Sequence, residues 1–227
     1  AGEGPRVRTE PAGPDDAVDA AASVRAAAER GAAAVGRRDL RRSVRAGDDA
    51  ALVLFVVDAS ASMRPAMRAA KGTVLELLKD AYRERDEVGF VAFAGDDADV
   101  LLPPTDSVTR AARHLKELPT GDRTPLPAGL DAAAAVVDRA DPAAAVVVLV
   151  TDGRANVADG SPVAATRAAA RRVADLGARL LVVDAGGDAP GVLPAVVEAT
   201  GAARVPLDAL TADRVDAAAG AARSREI

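Results

Sequence analysis

One stretch constrains the fold of this chain more than any other: residues 51–62, which read ALVLFVVDASAS. Its first seven residues are apolar and rich in valine, and they lead directly into Asp58, Ser60 and Ser62. A continuous apolar run of this length predicts a strand covered on both faces, as in the middle of a parallel sheet flanked by helices. Ligands of open α/β sheets bind outside the carboxyl ends of the strands, so these three side chains are expected at a binding edge.

Further segments predict the rest of the sheet. Buried strands are expected at residues 143–150 and 178–184, and a strand at 87–93 is expected to turn back as an antiparallel edge at 98–103. A last edge strand is expected at ARVPL. Seven helices are predicted before, between and after these strands. Four of them are expected at 17–30, 128–139, 191–200 and 208–222, the last capped by Asp208. The other three follow a serine: one begins after Ser62 with Pro65 in its first turn, one covers 108–118 after Ser107, and one runs from Ser161 to about 176. This alternation predicts an α/β fold: a doubly wound, mostly parallel central sheet with one antiparallel edge strand and helices on both faces.

The chain is expected to divide into three regions. Residues 1–16 are rich in Pro, Gly and charge and are interpreted as a linker, residues 17–47 as an Ala- and Arg-rich lead-in, and residues 48–227 as the α/β domain. The basic segment 37–45, RRDLRRSVR, is either a solvated approach to the first strand or a segment that docks a partner. Because the chain starts with Ala1 and shows no signal-peptide pattern, we interpret it as a fragment of a longer protein or a processed form.

The composition argues against several classes of protein. Only 2% of the residues are aromatic, so the core is expected to consist of Val, Leu and Ala. The net charge of −5 argues against a nucleic-acid-binding protein or a polybasic membrane surface, and no apolar run approaches the roughly 20 residues of a membrane helix. The absence of Cys excludes disulfides and thiolate metal sites and is consistent with a cytoplasmic protein, and a single His, His114, excludes a histidine metal cluster.

Oxygen-bearing side chains follow the predicted buried strands. The candidate metal ligands are Asp58, Ser60, Ser62, Thr124 and Asp152. Two carboxylates and three hydroxyls without nitrogen or sulfur form the kind of donor set that Mg²⁺ or Mn²⁺ prefers, and an Asp or Glu of another protein could complete it. Each residue alone also has a purely structural interpretation, since the serines could cap a helix, Thr124 could precede one, and Asp152 could form a turn.

The motifs around these residues resemble a known site. D-x-S-x-S after the first buried strand, a Thr in a mid-chain loop and T-D-G after a later strand resemble the metal-ion-dependent adhesion site (MIDAS) of von Willebrand factor A (VWA) domains. The resemblance implies that the serines and the threonine ligate the ion directly or nearly so, and that the aspartates often do so through water. Longer stretches, among them LPTGDRTPLPAGL and LVTDGRANV, resemble the C-terminal A domain of magnesium chelatase D subunits and their cobaltochelatase relatives, over roughly residues 37–205.

This resemblance implies a function. The chain would be a Mg²⁺-dependent protein-binding module of an ATP-dependent metal chelatase in tetrapyrrole, cobalamin or chlorophyll biosynthesis. It would belong to the non-catalytic part of a chelatase subunit. It would link an AAA+ ring to the large catalytic subunit through a partner carboxylate, with the bound ion acting as an adhesive and not as the ion inserted. Arg123 and Arg154 flank the predicted ion site and suit an acidic ligand.

Two departures and two alternatives accompany this interpretation. Ala61 stands where such sites usually have Gly, which is a small change unless its φ is positive, and Asp122 replaces a Gly of the threonine loop. The domain could instead be a stand-alone adhesion module for another acidic partner. It could also be a Mg²⁺-dependent phosphoryl transferase with Asp58 as nucleophile, although Ser60 lies where such sites need a second acid.

Overall fold

A computed structural model describes residues 6–12, 18–32, 34–45, 51–84, 86–116, 121–158, 160–186 and 191–223. The chain forms two compact units, residues 1–50 and 51–227. The domain boundaries expected from the sequence, at 16/17 and 47/48, stay predictions.

Among its described residues, the first unit contains a two-stranded antiparallel sheet, one α-helix and a short 3₁₀ turn at Arg37–Asp39. Strand β1 (Arg6–Pro11) pairs with strand β2 (Arg41–Arg45), and helix α1 (Ala20–Glu29) lies between them in the sequence, confirming the predicted helix. Residues 6–11, which lie within the predicted linker 1–16, form a strand that the sequence did not indicate. The pairing is possible because Pro11, which has no N–H to donate, occupies the end of its strand.

An ion pair between the partly exposed Arg30 and the buried Asp39 connects the end of α1 to the turn before β2. The side chain of Asp39 is 3% exposed. Arg30 Nε donates to Asp39 Oδ1 at 2.9 Å, and the backbone N–H of Gly36 donates to Asp39 Oδ2 at 2.8 Å. The hydrogen bond from the Arg30 guanidinium, and then that from Gly36, lower the pKa of Asp39 to about 2.

We expect the first unit to lose order in acid because of Asp39. Its pKa is lower in the folded state than the ordinary value of about 3.9, so its contribution to stability is complete above that value and is lost as the pH falls towards about 2. Asp39→Asn should weaken the unit at neutral pH and remove this acid transition. NMR signals of the α1 amides, followed against pH, measure both effects. As a control, Glu29→Gln at an exposed position of α1 should show the same acid transition as the unchanged chain. An acid transition that persists in Asp39→Asn would contradict the assignment to Asp39.

The second unit is built on a six-stranded sheet. Its strands are β3 (Ala51–Asp58), β4 (Glu87–Ala94), β5 (Asp97–Thr105), β6 (Ala144–Thr151), β7 (Arg179–Asp184) and β8 (Ala203–Pro206). Their order is β5-β4-β3-β6-β7-β8, and every neighbouring pair is parallel except the β4–β5 hairpin. The predicted mostly parallel sheet with one antiparallel edge strand is thus confirmed.

Helices cover both faces of this sheet. They are α2 (Arg64–Glu84), α3 (Val108–Lys116), α4 (Leu126–Ala140), α5 (Pro162–Asp175), α6 (Leu193–Thr200) and α7 (Ala212–Arg223). Alternate residues of β3 enter opposite apolar clusters: Phe55 belongs to the cluster that includes residues of α2, α3 and α7, and Leu54 to the cluster that includes residues of α4, α5 and α6. Because both faces are covered, β3 has the continuous apolar sequence of a central parallel strand. Within the described ranges, no helix combines the length and the apolar character that crossing a bilayer requires.

Four helix starts differ from the prediction. Helices α1 and α6 begin at Ala20 and Leu193, slightly later than the expected 17 and 191. Helix α4 begins at Leu126, two residues before the expected 128, because Leu126 is fully buried against the sheet. Asp208 does not cap the terminal helix: it lies in a 3₁₀ turn over Leu207–Ala209, and α7 begins at Ala212. Leu207 and Leu210 are both buried in the core, which holds this separate turn ahead of the helix.

Candidate metal centre

Asp58 is the last residue of β3 and is fully buried. The backbone N–H of Ser60 donates to its Oδ1 at 2.9 Å, and the Thr151 hydroxyl donates to its Oδ2 at 2.6 Å. Thr151 can reach it because β3 and β6 are parallel neighbours with Val57 opposite Val150, so that both strands end at the same edge of the sheet. Both carboxylate oxygens are therefore held in defined positions.

The surroundings of Asp58 disfavour its negative charge. Burial raises the pKa of this carboxyl, the hydrogen bonds from Ser60 and Thr151 oppose that rise, and the nearby Asp152 carboxylate adds to it. A buried carboxylate of this kind is stabilised by a neighbouring cation, because the cation restores the electrostatic stabilisation that water no longer provides. The residue therefore suits a cation site.

Ser60 and Ser62 lie directly beyond Asp58, in the turn that leads into α2. Ser60 is 2% exposed, and the two hydroxyl oxygens are 3.0 Å apart. Ser60 makes no side-chain capping hydrogen bond to this turn, so helix capping does not account for it. Among the described non-glycine residues only Asp141 has a positive φ, so Ala61 replaces the usual glycine without backbone strain.

The loop before α4 is attached beside Ser60. Gly121 and Ser60 form an isolated parallel bridge, and the N–H of Ala61 donates to the carbonyl oxygen of Gly121 at 2.7 Å. A Cβ on Gly121 would lie 2.5 Å from the backbone nitrogen of Gly95, so this close approach requires glycine. Three residues further along the chain, Thr124 is 2% exposed. The loop that carries the threonine is thus anchored to the turn that carries the serines.

Asp152 follows β6 and is 7% exposed. Its Oδ1 accepts a hydrogen bond from the backbone N–H of Arg154 at 3.1 Å, and the Arg154 Nε lies 3.5 Å from its Oδ2. The Arg154 side chain itself is 63% exposed, so most of the guanidinium faces solvent at the rim of the site. Arg123 is similarly exposed at 64% and donates to the exposed Asp96 at 2.6 Å.

The structure connects the predicted residues through short contacts. Ser60 contacts Ser62 and Asp58, and the loop carrying Thr124 is joined to Ser60 and to the segment after Asp152. Asp122, the other departure from the family pattern, is exposed. Among the described residues no group of three or more His, Cys, Asp and Glu could hold a metal ion, so any ion held here needs hydroxyl donors as well as carboxylates. The assignment of these side chains as ligands stays a prediction.

Two polar residues of the site were not among the predicted ligands. Thr151 orients Asp58, and Asn156 Oδ1 accepts a hydrogen bond from the backbone N–H of Thr124 at 2.7 Å. Composition could have singled out Asn156, because it is the only Asn in the chain and the chain has no Gln. Composition alone did not show which backbone group this amide contacts.

Comparison with known proteins defines the class of this domain. Residues 53–154 match the family model of the von Willebrand factor type A domain. The fold is shared with the vWF domain of the type V pili tip protein of Porphyromonas gingivalis, with a TM-score of 0.63 over 76% of this chain and 94% of that chain at 13% identity. It is also shared with proximal thread matrix protein 1 of the mussel byssus, solved with a zinc-occupied MIDAS motif, with a TM-score of 0.59 over 78% of this chain and 47% of that chain at 20% identity. Residues 53–154 therefore match the von Willebrand factor type A domain in sequence, and the fold of the second unit is the one found in such domains.

Relatives in sequence confirm the resemblance to magnesium-chelatase subunits. The chain is 42% identical over 131 residues to the magnesium-chelatase 67 kDa subunit of Chlorobaculum tepidum, covering 56% of this chain and 21% of that protein. It is 47% identical over 114 residues to the magnesium-chelatase 60 kDa subunit of Cereibacter sphaeroides, covering 48% and 20%. An uncharacterized protein of Mycobacterium tuberculosis is 44% identical over 154 residues, covering 64% and 24%. The chain thus spans about a fifth to a quarter of the length of these relatives.

Proposed function

We propose that this domain is a Mg²⁺-dependent docking module that binds an acidic side chain of a partner protein. The observation that carries the proposal is the buried Asp58 carboxylate, held by Ser60 and Thr151 at the edge of the sheet where the hydroxyls of Ser60 and Ser62 lie 3.0 Å apart. A fully buried acid beside two hydroxyls has no counter-cation from the described residues. A metal ion would supply that positive charge.

The donor set favours a hard divalent cation. Asp58, Ser60, Ser62, Thr124 and Asp152 would hold the ion. Their donors are all oxygen, which suits Mg²⁺ or Mn²⁺ better than a metal that prefers nitrogen or sulfur. When bound, the ion would provide a coordination position for an incoming carboxylate oxygen. The exposed guanidiniums of Arg123 and Arg154 would attract such a carboxylate to the rim.

We infer the partners from the sequence relatives. Similarity to magnesium-chelatase subunits supports a role in a metal chelatase complex. The domain would dock the AAA+ chelatase subunit, the large catalytic subunit, or both, in the cytoplasmic synthesis of a tetrapyrrole. The stand-alone adhesion module differs from this proposal only in the acidic partner that it binds.

The geometry does not favour a phosphoryl transferase. A nucleophilic aspartate must present an oxygen to the phosphorus atom of its substrate. Asp58 is fully buried, and hydrogen bonds from Ser60 and Thr151 engage both of its oxygens. Measurement of phosphate release tests the alternative directly, and we expect no turnover above the metal-only background.

A binding assay tests the docking proposal. The immobilised chain should bind the purified AAA+ subunit or the large chelatase subunit in the presence of Mg²⁺. EDTA should release the bound subunit, and restored Mg²⁺ should allow it to bind again, because the ion would join the two surfaces. If binding is the same with and without EDTA, the ion takes no part in docking, and the basic segment 37–45 becomes the candidate docking surface. Failure to bind either subunit, in a chain that still takes up Mg²⁺, would replace the chelatase partner by another acidic protein.

A further inference from the structure

One side-chain amide in this chain lies at the candidate metal centre. Asn156 is the only Asn among 227 residues, and the chain contains no Gln. It lies four residues after Asp152, in the segment between β6 and α5. Its Oδ1 accepts a hydrogen bond from the backbone N–H of Thr124 at 2.7 Å, and its own backbone N–H donates to the carbonyl oxygen of Thr124 at 3.3 Å. Asn156 therefore contacts both backbone polar groups of one predicted ligand residue.

These two hydrogen bonds join two loops that are distant in the sequence. Thr124 and Asn156 are 32 positions apart. The first loop brings the Thr124 hydroxyl and the second brings the Asp152 carboxylate, each from the carboxyl-end side of the sheet. The Gly121 end of the first loop is already attached to Ser60, so Asn156 supplies the attachment at its Thr124 end. The two loops then form one unit.

We propose that Asn156 is a positioning residue of the metal site, which acts on the ion only through the backbone of Thr124. This inference rests on the proposed function of the site. By holding the Thr124 N–H and C=O, Asn156 sets where the Thr124 hydroxyl lies relative to Asp58 and Asp152. Residues that orient metal ligands in this way commonly change metal affinity by about 10- to 100-fold when replaced.

The chemistry of the amide suits this position. Its oxygen is a strong acceptor that carries no charge, whereas a carboxylate would add a third negative charge to a site that already holds Asp58 and Asp152. Alanine and serine are too short to provide an acceptor at the same place. Thr124 is 2% exposed, whereas Asn156 is exposed. Truncation of the Asn156 side chain should therefore leave no cavity in the core. A change in metal binding can thus be separated from a change in folding.

A double-mutant cycle tests the inference. Asn156→Ala should weaken Mg²⁺ binding by about tenfold, measured by calorimetry. Asn156→Asp keeps an acceptor for the Thr124 N–H and should restore that loss, but its added negative charge also attracts Mg²⁺, so the exchange of the Thr124 amide in metal-free protein is the measurement that reports positioning alone. In a Thr124→Ala background, which lacks the ligand hydroxyl, Asn156→Ala should have little further effect, because its action passes through that hydroxyl. In metal-free protein, the Thr124 amide should exchange faster in Asn156→Ala than in Asn156→Asp.

A remote variant and three outcomes complete the test. The control is Thr200→Ala, which, like Asn156→Ala, removes a side chain that hydrogen-bonds to backbone groups. Thr200 lies at the end of α6, at the opposite edge of the sheet, so this variant should leave Mg²⁺ affinity unchanged. Mg²⁺ affinity that is equal in the unchanged chain and in Asn156→Ala would overturn the inference about Asn156. An equal loss in both Thr124 backgrounds would overturn the route through Thr124. An unchanged chain that binds no Mg²⁺ would overturn the proposed function itself.

Discussion

Replacement of Asp58 by alanine is expected to abolish Mg²⁺ binding, with a loss of affinity greater than about 100-fold. The proposed site contains two carboxylates, and Asp58 is the more deeply buried, with both oxygens held by hydrogen bonds. Removal of its charge takes away the electrostatic attraction that pays for stripping water from the cation. Isothermal titration calorimetry measures this loss, and docking to the chelatase subunits should disappear with it.

The Asp58→Ala variant is expected to remain folded. Loss of the carboxylate leaves the Ser60 N–H and the Thr151 hydroxyl without their acceptor, at a cost of about 1–3 kcal/mol for each group that stays unsatisfied. The same change removes an acid whose charged form burial disfavours, as its raised pKa indicates, and this offsets part of that cost. Circular dichroism should therefore show a native spectrum.

Thermal unfolding separates the effect on binding from the effect on folding. Mg²⁺ at 100 times its dissociation constant should stabilise the unchanged chain by about 2.7 kcal/mol. It should stabilise neither Asp58→Ala nor Asp58→Asn, which keeps the size of the side chain and removes its charge. A Mg²⁺-dependent rise in Tm that persists in both variants would place the ion elsewhere on the chain.

Replacement of Phe55 by alanine is expected to cost about 3–5 kcal/mol of folding free energy. Phe55 is fully buried in the central strand β3 and stacks on Phe90, with ring centroids 5.2 Å apart and ring planes 17° from parallel. The chain has only three Phe, and all three are fully buried in β3 and β4. In a core made mainly of Val, Leu and Ala, few other side chains are large enough to fill the resulting cavity.

Urea denaturation of the second unit measures this loss against a matched truncation. Leu176→Ala removes apolar atoms from a side chain that is 41% exposed and should change stability by less than about 0.5 kcal/mol. A loss of about 3–5 kcal/mol is a large share of the 5–15 kcal/mol that holds an ordinary domain folded. If Phe55→Ala cost no more folding free energy than Leu176→Ala, the packing of Phe55 against Phe90 would not contribute to the stability of this core.

The second unit could be predicted closely because its signals are local in sequence. Strands β3 and β6 are covered on both faces, so their sequences are uninterrupted apolar runs that need no partner to be recognised. The β4–β5 hairpin follows from its turn residues, and Ser161 marks the start of α5 by capping it. Those strand ends also placed Asp58 and Asp152 at one edge, because parallel strands end together.

Non-local pairing explains the features that local patterns did not predict. Strand β1 was missed because its partner β2 lies about 30 residues further along the chain and its own composition is that of a linker. Asp208 was expected to cap α7, but the burial of Leu207 and Leu210 sets a separate turn before the helix. In both places a contact distant in sequence overrides the local preference.

The sequence by itself determined the α/β class of the domain, the edge of the sheet that carries the oxygen-bearing side chains, and the identity of those side chains. Apolar runs and helix caps are read along the chain, and they do not depend on how loops meet. Only the tertiary structure decided that Thr151 holds Asp58 and that Asn156 holds Thr124. The physical reason is that a hydroxyl or an amide can bond to any polar group within about 3 Å, and which group lies there depends on how segments far apart in sequence pack together.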